Sequence, residues 1–258
     1  MLDINQIISF YPKHLRSFKL NILREYLQYK ILEIVFDSEE GNKLAFMGGT
    51  AAHIIHSNSR FSQDLDFDNL GLSRKSFIKM SELIKKKLKL QGYNCEIKNV
   101  FKGALRSYIR ISDILFKSGL SGHKEEKLLI NLDVEAQGFD YLPDKIILNK
   151  FDVFLYINVV PQDILLSQKI LCIFNRKRPM GRDFYDTVFL LGKTKPNMNY
   201  LRSKLGIKDK RGLKKKLGLR IKSMDFKALA RDAEPFLFAG GDCKKVLLFS
   251  EYIKNYEF

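Results

Sequence analysis

The stretches Met47-Gly48-Gly49-Thr50 and Ser62-Gln63-Asp64-Leu65-Asp66-Phe67 decide the fold of this chain. Side chains alternate between the two faces of a strand, so the second stretch sends Asp64 and Asp66 to one face and its apolar residues into a core. The apolar run before the glycines predicts a buried strand, and the residues from Thr50 onward predict a helix. Together the stretches predict a strand, a glycine turn, a helix, and a second strand with two acids on one face.

The residue types in these stretches suit phosphate chemistry. Two carboxylates on one strand face repel each other, and a cation bound between them removes that cost. Oxygen ligands favour a hard ion, so we expect Asp64 and Asp66 to bind Mg²⁺, with Mn²⁺ as an alternative. Gly48, Gly49 and Thr50 are expected to bring backbone N–H groups close to a phosphate. This combination indicates an enzyme that transfers a nucleotidyl group.

Further candidates lie near the acidic pair and on a later strand. Ser62 precedes Asp64 by two positions and is expected to contact the phosphate or the metal. Arg60 is expected either to bind a phosphate or to pair with an acid. A third carboxylate from a neighbouring strand would complete the metal site, and Asp133 is the candidate because apolar residues flank it. Glu135 is the alternative, and a solvated strand face that binds no metal is the other interpretation of both.

A second cluster of charged residues begins at Lys169. Lys169 and Arg176 share helical spacing, and Arg182 and Asp183 open the next predicted helix. Lys169 suits a triphosphate, Asp183 would orient it, and Arg182 would face phosphate or RNA. The alternative is a network of arginine and aspartate that clamps two helices together, and this alternative applies to Asp186 more than to Asp183.

Composition points to a basic, globular protein. The chain has 258 residues, 45% of them apolar, and a formal net charge of +16. Such an excess of positive charge favours a polyanionic partner, most simply nucleic acid. The other interpretation is that the charge serves only to keep the protein soluble. The three cysteines form no C-x-x-C pair, which argues against a zinc or disulfide framework. No signal peptide or membrane-spanning run is recognisable, so we expect a cytoplasmic protein.

The order of predicted elements indicates an α/β (α+β) core with a mixed sheet, followed by a C-terminal helical bundle. We predict a first domain over residues 1–160, including N-terminal helices, and a helical domain over 161–258. Helices are predicted over 6–36 with a break at Pro12, and over 73–90, 162–175 and 182–191, with further helices from 197 onward. Strands are predicted over 44–47, 65–67, 95–100, 107–114, 128–135 and within 151–160.

These motifs resemble those of the AbiEii/AbiGii-type nucleotidyltransferase toxins, a branch of the DNA polymerase β-like nucleotidyltransferase superfamily. The resemblance rests on Gly48-Gly49-Thr50-Ala51, on the stretch from Arg60 to Phe67, and on Lys169 with Arg176 and Arg182-Asp183-Phe184-Tyr185-Asp186. The chain departs from the family pattern at Gln168, where a glutamate is usual, and at Cys172, where an alanine is common. The second cluster is therefore the looser part of the match.

The resemblance implies a toxin of a toxin–antitoxin or phage-defence system that is neutralised by a separately encoded antitoxin. It also implies transfer of a nucleotide from an NTP to an RNA, for some members the 3′ end of tRNA. Ser62 and Asp64 match the family's first catalytic motif, with Asp66 as the second acidic position. Lys169 and Asp183 match the later lysine and aspartate. Transfer to a protein or small molecule, or binding of NTP or RNA without catalysis, remain the alternatives.

Overall fold

The computed structural model describes residues 2–258, and its first compact unit is a mixed sheet covered by helices. This unit contains the residues up to Ala51 together with Phe61–Gly138 and Pro143–Val159. Within the described residues the sheet has seven strands in the order β3-β4-β5-β2-β1-β7-β6. The strands are β1 Leu44–Met47, β2 Leu65–Asn69, β3 Asn94–Lys102, β4 Ala104–Ser112, β5 Leu128–Glu135, β6 Asp144–Lys150 and β7 Val153–Val159.

The predicted α/β class with a mixed sheet is confirmed. Strand β2 runs antiparallel to β1 and parallel to β5, and β1 runs parallel to β7. The outer pairs β3–β4, β4–β5 and β6–β7 are antiparallel. Strand β6 forms one edge of the sheet and was not predicted.

Helices of the first unit cover one face of the sheet. Helix α2 packs on β5 and β7, and helix α4 packs on β3 and β4. Buried rings such as Phe46 and Phe67 point to this face, where Phe67 contacts both Phe46 and Phe36 of α2. The helices of the chain are α1 Ile4–Ser9, α2 Lys19–Phe36, α3 Gly48–Ile54, α4 Arg74–Leu90, α5 Ile114–Lys117, α6 Gln162–Asn175, α7 Gly181–Leu191, α8 Met198–Leu205, α9 Lys210–Ile221, α10 Phe226–Ala233, α11 Lys244–Leu247 and α12 Phe249–Asn255.

Local signals explain where several helices begin and end. The hydroxyl of Ser73 accepts a hydrogen bond from the backbone N–H of Ser76 and caps α4, as its position in the sequence predicts. Gly92 follows the end of α4 with a φ of 87°, a conformation that glycine adopts without strain. The predicted break at Pro12 is also present, because α1 ends at Ser9 and α2 begins at Lys19.

The second compact unit is mostly helical. It contains Ala52–Arg60, Phe139–Leu142 and Val160–Phe258. Rings of Phe184, Phe226 and Phe249 pack together in its core. The predicted C-terminal helices are confirmed, whereas a domain boundary at residue 160 stays a prediction. Within residues 2–258, no helix combines the length and the apolar character that crossing a membrane requires.

Candidate functional site

The acidic residues of β2 and β5 lie side by side in the centre of the sheet. The register pairs Asp66 with Met47 of β1 on one side and with Asp133 of β5 on the other. Asp133 is paired in turn with Arg106 of β4. Residues paired in this way point to the same face of a sheet, opposite the buried face that carries Phe67. One row across four strands therefore holds two carboxylates and one guanidinium.

Asp64 is held in place just before β2 begins. Its Oδ1 accepts a hydrogen bond from Asn131 Nδ2 at 2.8 Å. Its backbone carbonyl accepts a hydrogen bond from the hydroxyl of Thr50, which is fully buried. The carbonyl of Ser62 accepts another from Gln28 of α2 at 3.1 Å. Contacts from α2, α3 and β5 thus fix the backbone and the carboxylate that the sequence singled out.

The glycine turn touches the acidic pair directly. Gly48 adopts a φ of 79°, in the left-handed region that residues with a Cβ avoid. A Cβ on Gly48 would lie 2.1 Å from Oδ2 of Asp66, far inside van der Waals contact. Only a glycine therefore allows this close approach of the turn to the carboxylate.

Gly48→Ala is expected to remove most transferase activity and to lower the free energy of unfolding by about 1–3 kcal/mol, because the added methyl strains the turn and displaces the Asp66 carboxylate. Gly92→Ala is the matched control, since Gly92 has a similar φ of 87° but open space where the Cβ would lie. We expect this control to lose stability while keeping activity. Urea unfolding and transfer rates measured on both variants check the prediction, and equal activity losses would contradict it.

The carboxylate of Asp133 is engaged by Arg106. The Nη2 of Arg106 lies 2.9 Å from Oδ2 of Asp133, and its Nε donates to the other oxygen. These hydrogen bonds raise the pKa of Arg106 above its usual value. Glu135, the alternative, is exposed at the end of β5. Among residues 2–258 no three His, Cys, Asp or Glu side chains are grouped to hold a metal. The role of Asp133 as a third ligand stays a prediction.

Three residues of this region were missed by the sequence analysis. Arg106 and Asn131 contact the acids as described above, and Arg24 of α2 lies where the negative charge of Asp64 acts on its guanidinium. Burial lowers the pKa of Arg24, and Asp64 opposes that shift. Asn131 could have been found, because it lies two positions before Asp133 on the same strand face. Only a weak indication in the sequence assigns Arg24 to the site, namely a cationic residue within an apolar helical stripe.

The second cluster centres on Asp186, which is fully buried in the second unit. The Nε and Nη2 atoms of Arg60 each lie 2.6 Å from one of its oxygens. Lys169 Nζ lies 2.8 Å from Oδ2, and Asn58 Nδ2 donates at 2.7 Å. Burial alone would raise the pKa of Asp186, but the positive charges of Arg60 and Lys169 outweigh it and lower that pKa to about 2. Arg60 therefore pairs with an acid, one of its two expected roles.

Asp183 lies beside this group and has a different environment. Arg176 Nε is 2.8 Å from its Oδ2, whereas Lys169 Nζ is 3.8 Å from its Oδ1. Burial raises the pKa of Asp183, and Lys169 and Arg176 only partly oppose the shift. Lys169 is thus held more closely by Asp186 than by Asp183, the partner that was expected. The predicted arginine–aspartate network is present at Asp186 and joins α6, α7 and the segment before β2.

The charges in this cluster do not balance. Arg60, Lys169 and Arg176 supply three positive charges against the two of Asp183 and Asp186. The side chain of Arg176 is 48% exposed, while Lys169 is buried. Arg182, also predicted to face a phosphate, places its guanidinium 4.3 Å from the centre of the Phe236 ring. The structure therefore brings Lys169, Arg176 and Asp183 together and places Arg182 against an aromatic ring.

Known proteins resemble this chain in sequence family and in fold. A family model described as the nucleotidyl transferase AbiEii toxin of type IV toxin–antitoxin systems matches residues 30–235. No curated protein matches the sequence significantly. Among solved structures, JHP933 from Helicobacter pylori is 16% identical with a TM-score of 0.55, over 90% of this chain and 91% of that chain.

A second solved structure, a provisionally assigned nucleotidyltransferase from the same bacterium, is also 16% identical, with a TM-score of 0.51 over 90% of this chain and 93% of that chain. At this level of identity the two structures show a shared fold.

Proposed function

The chain belongs to the AbiEii family of nucleotidyl transferase toxins of type IV toxin–antitoxin systems, and we propose that it transfers a nucleoside monophosphate from an NTP to the 3′ end of an RNA such as tRNA. The 3′-hydroxyl oxygen would bond to the α-phosphorus of the NTP while the bond to pyrophosphate breaks, so pyrophosphate is released. The proposal includes dependence on Mg²⁺, or on Mn²⁺ in its place. A separately encoded antitoxin would counteract the toxin, and the cytoplasm, where NTPs and tRNA are available, is its proposed place of action.

One observation carries the proposal: the glycine turn lies against the carboxylate of Asp66, beside Asp64. The backbone N–H groups of Gly48 and Gly49 would bind a phosphate of the NTP next to these acids. Asp64 and Asp66 are oxygen donors on one side of the sheet, a donor set that suits Mg²⁺ and would hold it. The ion, when bound, would polarise the reacting phosphate and favour ionisation of the attacking hydroxyl.

Several residues around the acidic pair have a proposed role in this reaction. Asp64 is kept in its orientation by Asn131, and Thr50 fixes the backbone that carries it. Ser62 lies at the start of the same stretch and would contact the phosphate. Arg24, whose pKa burial lowers while the negative charge of Asp64 opposes that shift, would direct its guanidinium toward substrate phosphates. These groups position the NTP, and positioning is the main work that phosphoryl transfer asks of a protein.

The second cluster is proposed to attract substrate phosphates. Its surplus positive charge favours an anion, and Arg176 is exposed enough to contact one directly. Lys169 is buried and would make the electrostatic potential around Arg176 more positive. Asp183 would orient Arg176 and Lys169. Arg182 stays a candidate for contact with phosphate or RNA through its planar guanidinium, which stacks on Phe236.

The net charge of the chain is the basis for proposing RNA as the acceptor of the nucleotide. A formal net charge of +16 attracts a polyanion and disfavours a small cationic acceptor. The test incubates the protein with Mg²⁺, each α-³²P-labelled NTP in turn, and total tRNA, a protein mixture or an aminoglycoside. Label on tRNA with one preferred NTP is the expected result. Label on protein or aminoglycoside instead would identify that molecule as the acceptor and exclude RNA. NTP binding with no labelled product would indicate a protein that binds NTP without catalysing transfer.

Arg106 and Asp133 give a separate test of the metal site. If Asp133 is the third ligand, Arg106 competes for its carboxylate, so Arg106→Gln should tighten Mn²⁺ binding several-fold and Asp133→Asn should weaken it. Isothermal titration of both variants with Mn²⁺ measures this without any substrate. The pair is partly exposed, with side chains 43% and 24% accessible, so neither change should cost more than about 1 kcal/mol of stability. Unchanged Mn²⁺ affinity in both variants would remove Asp133 from the site.

A further inference from the structure

Two exposed aromatic side chains lie on the same sheet face as the acidic row. Phe154 and Tyr156 of β7 are 71% and 67% exposed, two positions apart. The register pairs Val159 of β7 with the buried Phe46, so Val153, Ile157 and Val159 point to the covered face. Phe154 and Tyr156 therefore point to the opposite face, which Met47 and Asp66 share.

The neighbours of the two rings on this face are an apolar side chain and a lysine of the edge strand β6. Ile147 of β6 lies opposite Tyr156 and is 43% exposed, and Lys145 of the same strand lies opposite Asn158. A pocket of about 340 Å³ beside Tyr156 is lined by Phe36, Asn42, Lys145 and Asn158. It offers the amide of Asn42 to a base edge next to an aromatic ring, whereas Nδ2 of Asn158 donates to the backbone carbonyl of Leu44 at 3.4 Å.

We infer that this surface, the stacking face formed by Ile147, Phe154 and Tyr156, binds single-stranded RNA by stacking bases on Phe154 and Tyr156. The inference rests on the proposed function, since it gives the acceptor strand its place on the protein. Exposed aromatic rings beside cations form a platform for single-stranded nucleic acid, because bases stack on the rings while the cations meet the phosphates.

The position of the stacking face relative to the acids fits a bound acceptor strand. Strand β1 separates β7 from β2, so Asp66 is two strand spacings, about 10 Å, from β7 across the sheet. Because Phe46 pairs with Val159, Tyr156 lies about four residues, or roughly 13 Å, before the level of Asp66 along the strand direction. Phe154 lies roughly 7 Å further on. A single strand whose 3′ end reaches Asp66 would pass over Tyr156 and then Phe154.

Charge favours RNA over a protein as the occupant. An apolar sheet face next to an edge strand would also suit a protein partner, but Lys145 lines the pocket beside Tyr156 and the whole chain is strongly basic, with a formal net charge of +16. Phosphates of an RNA strand can contact Lys145 while the bases stack on the rings.

The absence of tryptophan from the sequence makes the inference directly testable. Tyr156→Trp introduces a unique fluorophore on the stacking face, and Phe116→Trp, at a position 49% exposed on α5, is the matched control. Titration with a single-stranded oligonucleotide of uridine should quench the tryptophan at position 156, with an affinity that falls as salt rises. The tryptophan at position 116 should not be quenched.

A double variant gives the second measurement. Phe154→Ala with Tyr156→Ala should bind the oligonucleotide about 10- to 100-fold more weakly by fluorescence anisotropy, and should raise the KM for RNA without a matching loss of kcat. Wild-type affinity in the double variant, with RNA transfer intact, would overturn the stacking face and leave the proposed function standing. Quenching at position 156 by a purified antitoxin but not by RNA would make this surface a protein interface. Absence of transfer to RNA, with quenching present, would instead count against the proposed function.

Discussion

Replacing Asp64 with asparagine is expected to lower the rate of nucleotidyl transfer by about 10³-fold while the protein stays folded. The change removes one negative charge from the acidic pair, and electrostatic stabilisation by a bound divalent ion is worth several kcal/mol in the transition state. Stability should change by less than about 1 kcal/mol, because the carboxamide oxygen can still accept the hydrogen bond from Asn131. Single-turnover rates with labelled NTP and RNA, and urea unfolding, measure the two quantities.

Asp140→Asn is the control for this variant. It makes the same chemical change at an exposed residue outside the strands and should leave both activity and stability unchanged. Mn²⁺ titration adds a readout independent of catalysis, because Asp64→Asn should also bind the ion more weakly. An Asp64→Asn protein that transfers nucleotide at the wild-type rate would remove Asp64 from the catalytic assignment.

Replacing Asp186 with alanine is expected to cost about 3–5 kcal/mol of stability, the largest loss we predict for a single substitution. The variant leaves Arg60 and Lys169 buried without their closest anion, and an unpaired buried charge is strongly destabilising. Asp133→Ala is the matched control, because it also breaks a two-pronged pair with an arginine, but one that is partly exposed. Its cost should stay below about 1 kcal/mol.

A second variant keeps this prediction testable if Asp186→Ala does not fold. The double change Arg60→Met with Asp186→Leu removes both charges of the closest pair and should recover part of the lost stability. Urea unfolding at pH 7 compares the variants. A loss of less than about 1 kcal/mol in Asp186→Ala would show that the buried network contributes little to stability.

The pKa of Asp186 also predicts a pH dependence. Because its pKa is lowered to about 2 in the folded protein, below that of an unfolded aspartate near 4, ionised Asp186 stabilises the fold above about pH 4. This contribution is lost as the pH falls from about 4 to 2. Asp183, whose pKa is raised, acts in the opposite direction. The free energy of unfolding should therefore fall less steeply in this range for an Asp186→Asn variant.

Strands with a clear local pattern were predictable from the sequence. Strand β5 alternates buried residues with half-buried or exposed ones along its whole length. Strands β1 and β2 carry apolar residues next to the glycine and aspartate motifs. Strand β6 was missed because it is an edge strand whose ends are polar and whose Ile147 is exposed. Strand β4 was placed over 107–114 but spans Ala104–Ser112, since residues at its start are only half buried.

The candidate site was predictable as a set of residues but not as a set of contacts. The acids and glycines stand in adjacent short stretches, so local periodicity places them on one turn and one strand. The pairing of Arg106 with Asp133, and of Lys169 with Asp186, depends on how separate elements pack together. No local pattern carries that information. Register alone, once the strand order is known, explains why Arg106 reaches Asp133.

The strand order has a consequence for the time at which the enzyme becomes active during its own synthesis. Strand β1, which leads into the glycine turn, lies between β2 and β7, and its partner Val159 is made long after Phe46. At typical elongation rates this interval is on the order of ten seconds. Until then β1 has one edge open, and pairing between such distant segments is slow. The sheet that carries the acidic pair is therefore incomplete, and the chain inactive, through much of its own translation.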